Sequence, residues 1–176
     1  MGSEGEQLLI VRAKRGDDAA YEQLLAMVIE PAHKLACGLL QDSHLAEDVV
    51  QEAAVRAWRK LKNLRDGASI APWFLGIVAN QCREVQRGHW SRIIVSGEVV
   101  EAQASTDDST IARIELRRRL QELSRQELLV VVLHFYLDLS WPDITAVSGL
   151  SEPAARSRLY RALEKLRAKA RAVVAT

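Results

Sequence analysis

The sequence predicts an all-α protein made of two small helical domains joined by a flexible linker, the C-terminal domain being a helix-turn-helix. Three observations predict it. Apolar residues recur at helical spacing over most of the chain, and the only β-like runs are 93–95 (IIV) and 128–133 (LLVVVL), the second inside a longer helical period. Capping residues and glycines mark where each helical run starts and stops. The period fails once, from about Gly88 to Asp108, where SGEVVEAQASTDDST is small, polar and acidic, as linkers are. A chain of 176 residues accommodates two small domains, here expected at 1–90 and 110–176 with the linker at 91–109.

The elements follow in order. A first helix is expected from about Glu6 to Arg15. Gly16-Asp17-Asp18 breaks it and caps a second, Ala19 to Ile29. Pro31 predicts a restart, and a third segment continues to Leu40. Asp42 or Ser43 caps the next helix, where Ala46, Val49, Val50, Ala53, Ala54, Ala57, Trp58 and Leu61 form one apolar stripe. Its opposite face shows Glu47, Asp48, Gln51, Glu52, Arg56 and Arg59. Residues 63–69 (NLRDGAS) form a polar loop. A further helix buries Trp73, Phe74, Ile77, Val78, Cys82 and Val85, and turns Asn80, Arg83 and Arg87 the other way.

The second domain opens with a helix from Ile111 to Leu123. Ser124 and Glu127, three apart, make a capping box for the helix that carries LLVVVLHFY. Ser140-Trp141-Pro142-Asp143 starts a short helix to Val147, with proline in the first turn where its missing N–H costs nothing. Ser148-Gly149 ends it, and Ser151 caps a long final helix.

Apolar residues at 48% and charged residues at 27% fit a folded protein. The net charge of +1 points to no partner, but its distribution does. From Pro153 onward the bases are Arg156, Arg158, Arg161, Lys165, Arg167, Lys169 and Arg171, against the single acid Glu164. A basic terminal helix suits an anionic partner. The two cysteines, Cys37 and Cys82, are too few for a disulfide framework and sit in apolar helical patterns, as free buried thiols do. No secretory signal is expected at the N-terminus, and no run is long and apolar enough to span a bilayer, so a cytoplasmic protein without membrane insertion is expected.

Short helix, tight glycine turn and long basic helix make a helix-turn-helix. In the last helix Ala155, Leu159, Ala162, Leu163, Leu166 and Ala170 form the inner stripe. Arg156, Ser157, Tyr160 and Arg161 lie opposite, in the turns that enter a major groove in such motifs. Arginine reads guanine with two hydrogen bonds, worth roughly 1–3 kcal/mol of discrimination. Arg158, Lys165, Arg167 and Lys169 suit phosphates.

The run ARSRLYRALEKLR (155–167), after LHFYLDLSWPDITAVSGLS, resembles the second conserved domain of extracytoplasmic-function (ECF) sigma factors. AEDVVQEAAVRAW (46–58) and then PWFLGIVANQCREVQR (72–87) resemble the first. Both occur in the family's order. The resemblance implies a non-enzymatic subunit of bacterial RNA polymerase that directs promoter-specific initiation, with no cofactor and no metal. Its partners would be core polymerase (through the largest-subunit clamp coiled coil and the flap), promoter DNA and an anti-sigma protein. The matching core-binding residues are Glu47, Asp48, Gln51, Glu52 and Arg56. Those matching recognition and melting of the −10 element are Leu64, Arg65, Asp66, Ser69, Asn80, Arg83 and Arg87. The −35 element would be read by Arg156, Ser157, Arg158, Tyr160, Arg161 and Lys165. The linker, with Glu98, Glu101, Asp107 and Asp108, would thread towards the RNA exit path. Where the family's recognition helix commonly begins Gly-Thr, this chain has Pro153 and Ala154, which removes a hydroxyl suited to a phosphate.

Two other readings remain. A stand-alone helix-turn-helix regulator accounts for 110–176 but gives the first domain no task. A metal site would start from His33 and Cys37, at ligand spacing on one helix, but no third ligand is visible. His44, His89 and His134 have no evident partner, and no phosphate loop or nucleophile motif is present.

Overall fold

The amphipathic runs fold as helices in a computed structural model, which describes the backbone of residues 3–96 and 111–174. Helices α1 (Ser3–Lys14), α2 (Asp18–Leu40), α3 (Ser43–Lys60) and α4 (Ile70–Ser96) make the first domain. Helices α5 (Ile111–Leu120), α6 (Arg125–Val131), α7 (Trp141–Ser148) and α8 (Glu152–Val174) make the second. The described residues contain no strand.

Local chemistry sets most boundaries. Gly16 leaves α1 with φ of 93°, and the Asp17 carboxylate accepts from Ala20 N–H to cap α2. Asp42 caps α3 by accepting from Leu45 N–H. Ser124 and Glu127 form the expected capping box. Ser140 caps α7, which ends at Gly149 in the left-handed region with its N–H on the Thr145 carbonyl.

Pro31 does not restart a helix. It lies inside the continuous α2. Val28, Ala32, Leu35, Ala36 and Leu39 are buried on both sides of it, so one stripe packs as a single rod. An interior proline costs about 3 kcal/mol, and burying this many apolar side chains offsets that cost. Two other boundaries differ. The run 93–95 is helical, and α4 continues to Ser96. The run 128–133 is helical, but its last turn loosens into a π-helical segment, Val132–Tyr136. The remainder of the expected linker, with Glu98, Glu101, Asp107 and Asp108, lies outside the described residues.

The two domains share one core. Phe74, Leu24, Leu35, Leu61 and Leu75 of the first belong to the same buried cluster as Leu133 and Ile144 of the second. Helix α4 packs on α7, and α2 packs on the π-helical segment. Arg117 of α5 donates to the carbonyl of Gln41 at the end of α2. The closest seam is at Gly38, where an added Cβ would stand 2.9 Å from a Val132 methyl. Val132 branches at Cβ and has little rotamer freedom to retreat. Gly38→Ala is therefore expected to lose about 1 kcal/mol, because overpacking outweighs the gain in helix propensity. Urea unfolding of the single and double variants checks this. Val132→Ala should cost less in the Gly38→Ala background than alone.

Candidate nucleic-acid interface

Helix α8 rests its inner stripe, Ala155, Leu159 and Ala162, in the core. That rotation leaves Arg156, Ser157, Tyr160 and Arg161 exposed on the outside. Tyr160 is 66% exposed, unusual for so large a ring, and stands free for contact. Arg156 is held from two directions. Its guanidinium carbon lies 4.2 Å from the centre of the Trp141 ring, and Glu152 grips its nitrogens at 2.7 and 2.8 Å. Trp141 in turn stacks on His134, with ring centres 4.9 Å apart. Spacing along the chain does not reveal this column, because its two aromatic side chains and its guanidinium come from three different elements.

Two of the expected −35 residues are tied to the protein instead. Arg158 donates to Gln126 Oε1 at 2.7 Å and to the Ala154 carbonyl. Lys165 donates to Glu127 Oε2 at 2.8 Å. Both link α8 to α6, so in this conformation their side chains brace α8. Pro153 occupies the first turn of α8 without interrupting it.

Glu127 is the buried end of that brace, with its side chain 7% exposed. Burial alone would raise its pKa. The Lys165 ammonium and the Ser124 hydroxyl and N–H outweigh it and bring the carboxyl from 4.5 down to about 2. A carboxyl depressed in the folded state contributes stability above its unfolded pKa and loses it as pH falls through the folded one. The contribution is expected to be complete above about pH 4.5 and lost by about pH 2. Glu127→Gln should lower stability at neutral pH by about 2 kcal/mol and flatten this acid limb, measured by thermal unfolding across pH.

The expected −10 residues separate into two groups. In the loop before α4, Leu64 is only 3% exposed and its side chain belongs to the core, so in this conformation it is not presented to a base. The polar residues there are held by α1. Asp66 pairs with Lys14 at 2.8 Å, and the Ser69 hydroxyl donates to Glu6 Oε1 at 2.9 Å. The Lys14 ammonium holds the Asp66 carboxyl below its ordinary pKa. Arg65 is exposed. The second group, Asn80, Arg83 and Arg87, lines a cavity of about 440 Å³ together with Arg56. Arg83 donates to the Asn80 side chain and to the Ala79 carbonyl. Trp73 is partly buried against the core, as its place on the apolar stripe predicts.

On α3, Glu47, Asp48, Gln51 and Glu52 are all exposed. Arg56 bridges Glu52 at 3.1 Å and Glu84 of α4 at 2.9 Å. Leu45 and Val55, at 38% and 46% exposed, flank this acidic strip. It therefore offers apolar area beside charge, the mixture of a docking face. Among the described residues no three His, Cys, Asp or Glu side chains converge. Burial pushes the Cys82 thiol up to about 12, so it remains protonated.

Residues 20–92 match the family model for sigma-70 region 2, and residues 113–166 that for sigma-70 region 4. RNA polymerase sigma factor CarQ of Myxococcus xanthus is 31% identical over 161 residues, covering 89% of this chain and 92% of CarQ. The chain belongs to the ECF sigma factors. As a sigma factor it directs promoter-specific initiation by RNA polymerase. The probable RNA polymerase sigma factor RfaY of Xanthomonas campestris is 29% identical across 88% of this sigma factor, which spans 41% of that longer relative. The solved structure of CnrH in complex with the cytosolic domain of CnrY superposes with a TM-score of 0.73 at 27% identity. It covers 96% of this chain and 98% of CnrH. No helix among the described residues is long and apolar enough to cross a membrane.

Proposed function

We propose that the sigma factor docks on core polymerase through the outer face of α3, reads and melts the −10 element with the α4 face and the loop before it, and reads the −35 element with α8. The single observation that carries the division is the pairing of two surfaces of opposite character. One is the acidic strip Glu47, Asp48, Gln51 and Glu52. The other is the exposed face Arg156, Ser157, Tyr160 and Arg161, with Arg156 held ready by Trp141 and Glu152. The acidic strip suits a basic protein surface, and the arginines suit base edges and phosphates. On the α4 face Asn80 offers a donor and an acceptor to an unstacked base, and Arg83 and Arg87 offer charge to its phosphates. The linker segment with Glu98, Glu101, Asp107 and Asp108 follows the polymerase towards the RNA exit path. The protein acts in the cytoplasm as a binding subunit without catalysis of its own. CnrH was solved with CnrY, and an anti-sigma protein is proposed as a partner here too.

Run-off transcription with bacterial core polymerase, across a pool of promoter fragments, tests the reading. Start-site-specific transcripts that require the protein are the expected result. No transcripts and no co-elution with core would favour a stand-alone helix-turn-helix regulator, which should then bind a specific duplex tightly by itself.

A further inference from the structure

The cavity that holds Asn80, Arg83 and Arg87 is not built by the first domain alone. Arg125 and Gln126, from the start of α6 in the second domain, form part of its wall. Its lining carries five cations, Arg56, Lys60, Arg83, Arg87 and Arg125, against the single carboxylate Glu84. That carboxylate is already taken by Arg56 at 2.9 Å. Lys60, Arg87 and Arg125 pair with no acid among the described residues. Gln81, 7% exposed, also lines the cavity.

Packing the domains together thus brings Arg125 to a wall that already carries unpaired cations. Like charges repel across a groove, where screening is weaker than on an open surface. The apolar seam at Gly38 and Val132 holds the arrangement in spite of that repulsion. An anion in the groove would remove it, and would bind more tightly because the domains are closed. A volume of about 440 Å³ falls in the range of small-molecule sites, roughly 300–1,000 Å³. Arginines with forked donors, and amides from Asn80, Gln81 and Gln126, match phosphate oxygens.

We propose that this groove binds an oligophosphate of nucleotide size, whose phosphates bridge Arg83 and Arg87 of the first domain to Arg125 of the second. Bound there, it holds the domains together and covers part of the α4 face. Asn80, Arg83 and Arg87 are shared with the proposed −10 surface. Arg125 is not, so the test turns on Arg125.

Inorganic tripolyphosphate is the probe, titrated into the full chain by calorimetry at low salt. Saturable one-to-one binding is expected, with a rise in melting temperature that shrinks as salt increases. Arg125→Ala and Arg87→Ala should each weaken binding by roughly tenfold. Arg125→Ala should leave −10-dependent promoter opening unchanged, so failure of the −10 assignment would show separately. Absence of saturable binding below the millimolar range would overturn the proposal. So would binding that falls with Arg87→Ala but not with Arg125→Ala, since the ligand would then not bridge the domains. A single-stranded DNA oligomer is titrated in parallel. If it displaces tripolyphosphate and binds far more tightly through Arg125, the ligand is a nucleic-acid backbone and the small-phosphate assignment falls.

Discussion

Arg156→Ala with Arg161→Ala is expected to lower transcription from a −35-dependent promoter by roughly a hundredfold, while the variant competes for core polymerase as well as the parent. Each well-made arginine–guanine pair contributes about 1–3 kcal/mol of discrimination, so two lost pairs reach that size. Both side chains are exposed and neither enters the core, so the fold should survive. Arg161 donates to the Ser157 carbonyl of its own helix, at 3.3 Å. Arg156 carries the larger share. Trp141 and Glu152 already restrict its guanidinium, so less entropy is lost when it meets a base. Trp141→Ala should therefore reproduce part of the loss, several-fold rather than a hundredfold, with Arg156 itself intact. Run-off transcription, with core competition in parallel, measures both. Loss of core competition in the double arginine variant would show that the domain roles are misassigned.

The legible parts of this molecule were those whose causes lie within a few residues. Caps at Asp17, Asp42, Ser124 and Ser140 act over three positions, and so does the turn at Gly149. The outer faces of α3 and α8 follow from the same short period that buries their inner stripes. Long-range causes were not legible. Pro31 breaks helices locally, yet α2 runs through it because its stripe is buried along its whole length. Leu64 looked like a loop residue until the core closed over it. Lys165 and Arg158 have the composition of phosphate contacts, and only the placement of α6 shows that Glu127 and Gln126 hold them. The seam between domains joins Gly38 to Val132, residues far apart in sequence that each fitted the pattern of their own helix. The groove containing Arg125 was hidden for the same reason.

Asp48→Lys with Glu52→Lys is the second substitution expected to have a large effect, lowering affinity for core polymerase by at least about a hundredfold. Like-charge contact across an interface costs several kcal/mol, and this pair reverses the sign of an exposed acidic strip. The fold tolerates the change. Both positions are exposed on α3. Arg56 loses Glu52 but keeps Glu84 at 2.9 Å. The new lysines stand at i and i+4, where their mutual repulsion costs about 0.5 kcal/mol or less. Contacts of α8 with −35 duplex lie on another helix of the other domain, so they should persist, and a duplex-binding assay alongside core competition separates the two effects. Transcription should fail at every promoter, because recruitment precedes recognition. The arginine variant should fail only where the −35 element matters, and that contrast gives each surface its own signature. If the lysine variant competes normally for core, the polar face of α3 is merely solvated. The docking surface must then be sought elsewhere, first among the exposed apolar residues Leu8 and Val11 of α1.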